Sequence, residues 1–178
     1  MIEDMNSAGS HIAFPEETTL DERDERYLRK AIVWSHAARR RGNRPFGSLI
    51  VSADGKVLAE AGNSNAETGD CTAHAEVNAL RALAGRGLTR EALASATLYA
   101  SGEPCVMCAG AIFWSNIGRV VYGIDAERLR VFRGERQDQR DAELSCRDVF
   151  RASPHPIECI GPALLDEASA AHDGAWGS

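Results

Sequence analysis

Hydrophobic residues near the start of the chain recur at the spacing of a helix. Between residues 21 and 41 they return every three to four positions, which predicts an amphipathic helix. Three arginines, Arg39 to Arg41, precede Gly42 and mark its end, because cations favour the negative C-terminal end of a helix dipole. Residues 1–20 show no such periodicity and are expected to form a flexible N-terminal arm.

The pattern then changes to that of a hairpin. Residues 46–52 and 56–61 are two apolar runs rich in β-branched side chains, and Asp54-Gly55 separates them. This dipeptide is typical of a tight turn between two strands. The segment therefore predicts an antiparallel β-hairpin.

From residue 74 onward, helical and strand-like segments alternate. The predicted helices cover residues 74–83, 105–115, 126–151 and 162–171, and the predicted strands cover residues 96–100, 119–123 and 156–160. Pro162 suits the first turn of the last helix. Strands joined through a helix run parallel, so we expect the strands at 96–100 and 119–123 to be parallel neighbours. The alternation predicts an α/β fold in which helices cover both faces of a mixed sheet.

The composition is that of one globular domain, expected at residues 21–178. The chain has 178 residues, of which 44% are hydrophobic, and this is enough to bury a substantial core. No run approaches the ~18 consecutive apolar residues of a membrane helix, and the first residues lack the features of a secretory signal. We therefore expect a cytoplasmic protein without a membrane partner. The net charge of −6 disfavours a nucleic-acid partner.

Two short motifs carry candidate chemistry, HAE at residues 74–76 and PCVMC at residues 104–108, and each lies at the start of a predicted helix. Cys105 and Cys108 would fall within one turn, where exposed N–H groups and the positive dipole end favour thiolates. With His74 they supply three nitrogen and sulfur ligands. Catalytic zinc sites use this number and keep a fourth position for water.

Glu76 is the residue that distinguishes a catalytic zinc site from a structural zinc site. Residues two apart on a helix do not share a face, so Glu76 is poorly placed to bind the same metal as His74. It can instead reach a water or substrate beside the metal and move protons there. The alternative is a closed structural zinc site that adds Cys71, three residues before His74, and makes the protein a non-catalytic binding module. The two cysteines of PCVMC alone also fit a core or redox pair.

The two motifs together resemble the signature of the zinc-dependent cytidine and nucleobase deaminase superfamily. The similarity spans residues 25–124 and includes RPFGSLIV, GNSN, DCTAHAEVNALR and LYASGEPCVMCAGAIFWSNIGRVVYG. It is greatest for the branch of guanine, cytosine and tRNA adenosine deaminases. The resemblance implies a cytidine deaminase-like fold, a three-layer α/β/α sandwich with about five strands, and a homodimer with one Zn²⁺ per chain. It makes His74, Cys105 and Cys108 the zinc ligands and Glu76 the catalytic proton shuttle.

The same resemblance implies a pocket for a base. Asn63 matches an asparagine that contacts the base, and Phe46 and Trp114 match positions in the pocket wall. The backbone N–H of Ala75 would hold a carbonyl or ring nitrogen of the substrate. The alternatives are a turn residue for Asn63 and ordinary core packing for the two aromatic residues.

The substrate is expected to be a small nucleobase or a related amino-substituted nitrogen heterocycle. Guanine is the first choice because the Pro-Phe-Gly and AIFW segments resemble the guanine deaminases, with cytosine, adenine derivatives and s-triazines as further options. A tRNA-specific adenosine deaminase is the alternative enzyme. Two features depart from the family pattern: Cys71 stands where these families mostly have proline, and the region after Gly123 matches neither the guanine deaminases nor the tRNA enzymes.

Overall fold

Five strands form one mixed sheet at the centre of the computed structural model, which describes residues 14–134 and 144–176. The strands are β1 (Gly47–Val51), β2 (Val57–Gly62), β3 (Thr97–Gly102), β4 (Arg119–Ile124) and β5 (Glu158–Ile160). Their order across the sheet is β2-β1-β3-β4-β5. β1 is antiparallel to β2 and β3, whereas β3, β4 and β5 are parallel. The predicted hairpin and the predicted parallel pair are both confirmed.

Eight helices are described around this sheet. They are α1 (Glu22–Arg40), α2 (Asn65–Thr68), α3 (Ala75–Arg81), α4 (Arg90–Ala94), α5 (Val106–Ser115), α6 (Ala126–Arg133), α7 (Cys146–Arg151) and α8 (Leu165–Ala170). None of these helices combines the length and the apolar composition that crossing a bilayer requires. The short helices α2 and α4 were not predicted, because a helix of one turn is too short to show a hydrophobic period.

Both faces of the sheet are covered, which confirms the three-layer α/β/α architecture. Successive residues of a strand point to opposite faces: Leu49 of β1 packs with α1, α6 and α8 on one side, whereas Ile50 packs with α3, α5 and α7 on the other. All of β1 and β3 is buried. The central strands therefore appear in the sequence as continuous apolar runs rather than alternating ones.

Helix α1 lies very close to the start of β1. A Cβ atom added at Gly47 would lie 2.2 Å from the backbone oxygen of Ala31, so only glycine fits there. A buried charge pair also fixes α1: Asp24 accepts hydrogen bonds from the Tyr99 hydroxyl at 2.6 Å and from Arg119 Nη1 at 2.9 Å. These contacts join α1 to β3 and β4.

Two predictions about the flanking segments, the long charged helix and the start of the last helix, are wrong in part. The helix predicted at 126–151 is divided, because Gly134 adopts a φ of +68° after α6 and Ser145 caps a new helix, α7; residues 135–143 lie outside the described part. Pro162 does not begin the last helix, which starts at Leu165. Residues 14–20 of the expected arm contain no helix or strand, and Thr18 N donates a hydrogen bond to Pro162 O at 2.7 Å. Residues 1–13 of the arm lie outside the described residues.

Candidate active site

Two helices begin at the same point above the sheet and bring the two sequence motifs together. His74 is the N-cap of α3 and Cys105 is the N-cap of α5, and both residues have extended backbone conformations. The first turns of both helices therefore direct free N–H groups and the positive ends of their dipoles to one place. This arrangement favours thiolates and other anions there.

The side chains of His74, Cys105 and Cys108 form the donor set of a metal site. His74 Nδ1 lies 3.6 Å from Cys105 Sγ and 3.5 Å from Cys108 Sγ, and the three atoms lie within 4.8 Å of one another. Tetrahedral bonds of about 2.3 Å to sulfur and about 2.0–2.1 Å to nitrogen place such ligand atoms roughly 3.5 Å apart. The three residues therefore fit one Zn²⁺ and leave a fourth coordination position.

The protonation of the two thiols also favours a cation. The hydrogen bond from Cys108, followed by the one with His74, lowers the pKa of Cys105 to about 4. The same contact with Cys105, together with burial, raises the pKa of Cys108 above its usual range. Cys105 is thus the stronger acid of the two thiols, and it lies next to a histidine whose pKa is raised by its hydrogen bond with Cys105. A divalent cation can displace the thiol protons and neutralise two thiolates.

Cys71 does not join this donor set. It is exposed, and the cluster formed within the described residues consists of His74, Cys105 and Cys108 without it. The closed four-ligand site that defined the binding-module alternative is therefore not formed in this structure.

Glu76 lies beside the donor set rather than within it, as its spacing from His74 predicts. Its side chain is in the first turn of α3, is 5% exposed, and accepts a hydrogen bond from Cys108 Sγ at 3.5 Å. Burial, reinforced by the negative charge on Cys105, raises the pKa of Glu76 to about 7. A carboxyl group of this kind can both accept and release a proton near neutral pH.

A cavity of about 350 Å³ opens above these residues. Its floor contains His74, Glu76 and Cys105, and its wall includes Phe46 and Asn63. This volume lies at the lower end of the range for small-molecule sites. Five of the eight predicted site residues thus line one cavity. A sixth, Cys108, does not line it but contacts Glu76, which does.

Asn63 stabilises a turn and also lines the cavity. It follows the last residue of β2 and is 1% exposed. Its Nδ2 donates to Asn65 Oδ1 at 2.6 Å, and its Oδ1 accepts from Asn65 N at 3.1 Å, so it stabilises the turn. An amide nitrogen carries two hydrogens, and the second remains for a ligand in the cavity.

Two predicted residues do not line the cavity with their side chains. Trp114 is 80% exposed and lies six residues beyond Cys108, about 9 Å further along α5, so its side chain does not line this cavity. Ala75 is fully buried as the first residue of α3. The prediction for Ala75 concerns its backbone N–H, which lies at the helix start, where such groups have no intrahelical acceptor.

Several lining residues were not predicted as site residues. They are charged or aliphatic and come from four separate segments: Arg44, Glu103, Leu129, Arg130, Arg133 and Leu144. Behind Phe46, the His172 and Trp176 rings stack 5.7 Å apart, and His172 lies 5.2 Å from the Phe46 ring. Arg44 and Glu103 lie within the segment that resembles the family, whereas Leu129, Arg130, Arg133 and Leu144 lie in the region after Gly123 that departs from the family pattern. Only that departure signalled their importance.

The sequence of this chain is similar to those of known proteins. Residues 21–124 match the family described as the cytidine and deoxycytidylate deaminase zinc-binding region. A "probable cytosine deaminase" of Schizosaccharomyces pombe is 42% identical over 159 residues, covering 89% of this chain and 96% of that protein. The guanine deaminase of Bacillus subtilis is 39% identical over 102 residues, covering 57% of this chain and 64% of that protein.

A solved structure from studies of A-to-I editing by tRNA:A34 deaminases has a TM-score of 0.66 and 30% identity, covering 83% of this chain and 99% of that chain. The family match, the fold and the ligand geometry all lead to one assignment. The chain belongs to the zinc-binding cytidine and deoxycytidylate deaminase family, whose members hydrolyse the bond between a ring carbon and its amino group.

Proposed function

We propose that this protein hydrolytically deaminates a small nucleobase or a related amino-substituted nitrogen heterocycle. The observation that carries the proposal is the position of Glu76, a buried carboxyl at the floor of a cavity beside the His74, Cys105 and Cys108 donor set. A structural zinc module has no use for an ionisable group in that place. A deaminase needs one, because protons must reach both the ring and the leaving amine.

Zinc held by this donor set supplies Lewis acidity, which makes water a much stronger acid near neutral pH. The chain's own residues then handle the substrate. Glu76 accepts a proton from water and delivers it to the ring nitrogen next to the reacting carbon. As the water oxygen bonds to the ring carbon, Glu76 accepts the remaining proton of that oxygen and transfers it to the exocyclic amine. The C–N bond then breaks, a carbonyl forms at the ring carbon, and ammonia departs. The first turn of α3 holds the carboxyl within reach of both atoms.

Other residues orient the base. In this proposal the second Nδ2 hydrogen of Asn63 and the N–H of Ala75 donate to acceptors on the ring edge. Phe46 packs against the ring face, supported from behind by His172. These three contacts fix the ring so that its amino group points to Glu76.

Two observations bear on which base is bound. The preference for guanine rested on the Pro-Phe-Gly and AIFW segments. The AIFW segment supports it less, because Trp114 does not line the cavity. The similarity that extends over nearly the whole length is to a probable cytosine deaminase. We therefore propose cytosine and guanine, in that order, as the first bases to assay.

A second candidate is adenosine deamination in tRNA. The 30% identity to a structure from the tRNA:A34 deaminase studies, which covers 99% of that chain, supports it. Arg44, Arg130 and Arg133 at the cavity would then contact phosphates. The net charge of −6 speaks against a large polyanion.

A substrate panel tests both candidates. Zinc-loaded protein is incubated with cytosine, guanine, adenine, s-triazines and a tRNA anticodon stem-loop, and ammonia and inosine are measured. We expect ammonia from at least one free heterocycle. Inosine in the stem-loop, with affinity that falls ~10³–10⁵-fold between 50 and 200 mM salt, would favour the tRNA enzyme. Ammonia from none of the substrates would refute the proposal.

We also propose a cytoplasmic homodimer, as the resemblance implies. Trp114 on α5 is 80% exposed, and a second copy would cover this large apolar side chain. The molecular mass in solution, measured for the wild type and for Trp114→Glu, tests this. A monomeric wild type would refute it.

A further inference from the structure

Two cysteines outside the metal site lie next to each other in the fold. Cys146 is the first residue of α7, and Cys159 is the middle residue of β5. Their sulfur atoms are 3.7 Å apart. The zinc donor set uses neither of them, so the deaminase reaction gives this pair of thiols no role.

The two thiols differ in exposure. Cys146 is fully buried in the core, whereas Cys159 is only partly buried and lies on the strand at the edge of the sheet. A small reagent from solution therefore reaches Cys159 first. Cys146 can then react with a group that has already formed on Cys159.

The two thiols also differ in acidity. The hydrogen bond from Cys146 lowers the pKa of Cys159; burial opposes this effect, and the charge of Arg147 adds to it. Arg147 is held beside β5, because its Nη1 donates to Cys159 O at 2.8 Å and its Nη2 donates to Gly161 O at 2.7 Å. The contact with Cys159, together with burial, raises the pKa of Cys146 above its usual range. Cys159 is therefore the better nucleophile, since the thiolate is the reactive form.

A short path joins this pair to the cavity. Glu103 lines the cavity, and its Oε1 accepts from Cys146 N at 3.2 Å and from the Ser145 hydroxyl at 2.6 Å. Leu144, two residues before Cys146, also lines the cavity. A movement at Cys146 therefore reaches two residues of the cavity wall.

We propose that Cys146 and Cys159 form an oxidation-sensitive pair, which a hydroperoxide converts to a disulfide, and that this disulfide lowers deaminase activity. The lower activity rests on the proposed function, whereas formation of the disulfide does not. An S–S bond is about 2.0 Å long, so the two sulfurs, now 3.7 Å apart, must approach by roughly 1.7 Å. Because β5 is paired with β4, the start of α7 takes up most of this movement and displaces Glu103 and Leu144.

The reaction balances with hydrogen peroxide as the oxidant. The Cys159 thiolate attacks a peroxide oxygen: the S–O bond forms, the O–O bond breaks, and hydroxide leaves and takes up the proton that Cys159 gave up. The Cys146 sulfur then attacks the Cys159 sulfur: the S–S bond forms, the S–O bond breaks, and the departing oxygen takes the Cys146 proton and leaves as water. The two thiols lose two electrons, and the peroxide is reduced to two molecules of water.

Peroxide treatment of the zinc-loaded protein tests the proposal. Peptide mass spectrometry identifies the disulfide between Cys146 and Cys159, ammonia release gives kcat/KM, and a colorimetric chelator measures released zinc. We expect the disulfide to form while zinc is retained. Displacing a positioning group by about 1 Å can lower a rate by up to ~10²-fold, so we expect kcat/KM to fall by ~10-fold and to recover after reduction with dithiothreitol.

Variants assign the effect to this pair. Cys159→Ser and Cys146→Ala should each keep their own untreated kcat/KM after exposure to peroxide. Alanine at position 146 avoids placing an additional hydroxyl group in the core, and thermal unfolding shows whether each variant is folded. Cys71→Ser, which removes an exposed cysteine outside the pair, is the matched control and should lose activity as the wild type does.

The outcomes separate failure of the inference from failure of the proposed function. If the wild type deaminates no substrate but the disulfide forms with zinc retained, the proposed function fails and the oxidation-sensitive pair stands. If no disulfide forms at a peroxide concentration that oxidises the exposed Cys71, or if it forms in an active enzyme without changing kcat/KM, the inference is overturned. Zinc release with equal loss of activity in the wild type and Cys159→Ser would assign the sensitivity to Cys105 and would also overturn it.

Discussion

Replacing Glu76 with glutamine tests the assignment of the proton carrier. The amide keeps the size of the side chain and leaves an oxygen near Cys108 Sγ, which lies 3.5 Å from Glu76 Oε2. It can no longer accept or release a proton near neutral pH. General acid–base groups contribute ~10²–10⁴-fold in rate, and Glu76 would serve two transfers. We therefore expect kcat to fall by at least ~10³-fold, which corresponds to about 4 kcal/mol of barrier.

Zinc content should not follow activity in this variant, because Glu76 is not part of the donor set. The assay combines ammonia release, zinc by elemental analysis and thermal unfolding. Glu103→Gln is the matched control: it removes the other carboxylate of the cavity, whose oxygens accept from Ser145, Cys146 and Ala126. Its main effect should be a loss of about 1–3 kcal/mol of stability.

Two results would refute the reasoning. If Glu76→Gln loses zinc together with activity, Glu76 is a ligand and not a proton carrier. If it keeps more than a tenth of wild-type kcat while folded and zinc-loaded, protons reach the substrate by another route. A loss of activity in Glu103→Gln equal to that in Glu76→Gln would assign the effect to the charge of the cavity.

Three further predictions concern the metal and the fold. Cys71→Ser should keep zinc after dialysis against a mild chelator, whereas Cys105→Ser should lose it; zinc loss from Cys71→Ser would restore the closed-site alternative. Burial tends to raise the pKa of Asp24, but hydrogen bonds from Arg119 and Tyr99 outweigh it and hold this pKa below 3.8. The ionised Asp24 therefore stabilises the fold above that pH and loses this effect as the pH falls below it. Asp24→Asn should lower the unfolding temperature at pH 7, and the difference in unfolding temperature between the variant and the wild type should become smaller in acid. A difference that does not change with pH would contradict this. Gly47→Ala should unfold at a much lower temperature because its Cβ meets Ala31 O, whereas Gly110→Ala, in α5 with nothing within 4 Å of the added Cβ, should be neutral or more stable by up to ~1 kcal/mol. Equal stability of the two glycine variants would be inconsistent with the close packing of α1 on β1.

The metal site could be predicted because its geometry is local. Cys105 and Cys108 lie within one helical turn, and His74 and Glu76 lie at another helix start. The spacing alone therefore distinguishes the candidate metal ligands from Glu76, the proposed proton carrier. The strands that hold these helices are buried on both faces, and continuous apolar runs identify them in the sequence. One long-range contact, between the starts of α3 and α5, completes the site.

The cavity wall could not be predicted in the same way. Trp114 and Phe46 look equally suited to stack on a base, and only the direction of α5 shows that Trp114 faces outward. Arg130 and Arg133 lie in a charged stretch whose pattern fits a long solvated helix. Gly134, with a φ of +68°, ends that helix early, so the two arginines lie at its last turn. Their approach to Arg44 depends on packing between distant segments, which hydrophobic periodicity does not encode.

The floor of the cavity and part of its wall come from different parts of the sequence, and this affects how the enzyme can change by mutation. The candidate metal ligands and the proposed proton carrier lie between positions 74 and 108, whereas Leu129, Arg130, Arg133 and Leu144 reach the cavity from beyond β4. Substitutions in the second group can alter which molecules enter without disturbing the donor set. Mutations at these positions can therefore change the range of substrates while the catalytic activity is retained. A combinatorial library at these four positions, selected for growth on different heterocycles as nitrogen sources, should yield new preferences in proteins that still carry their metal.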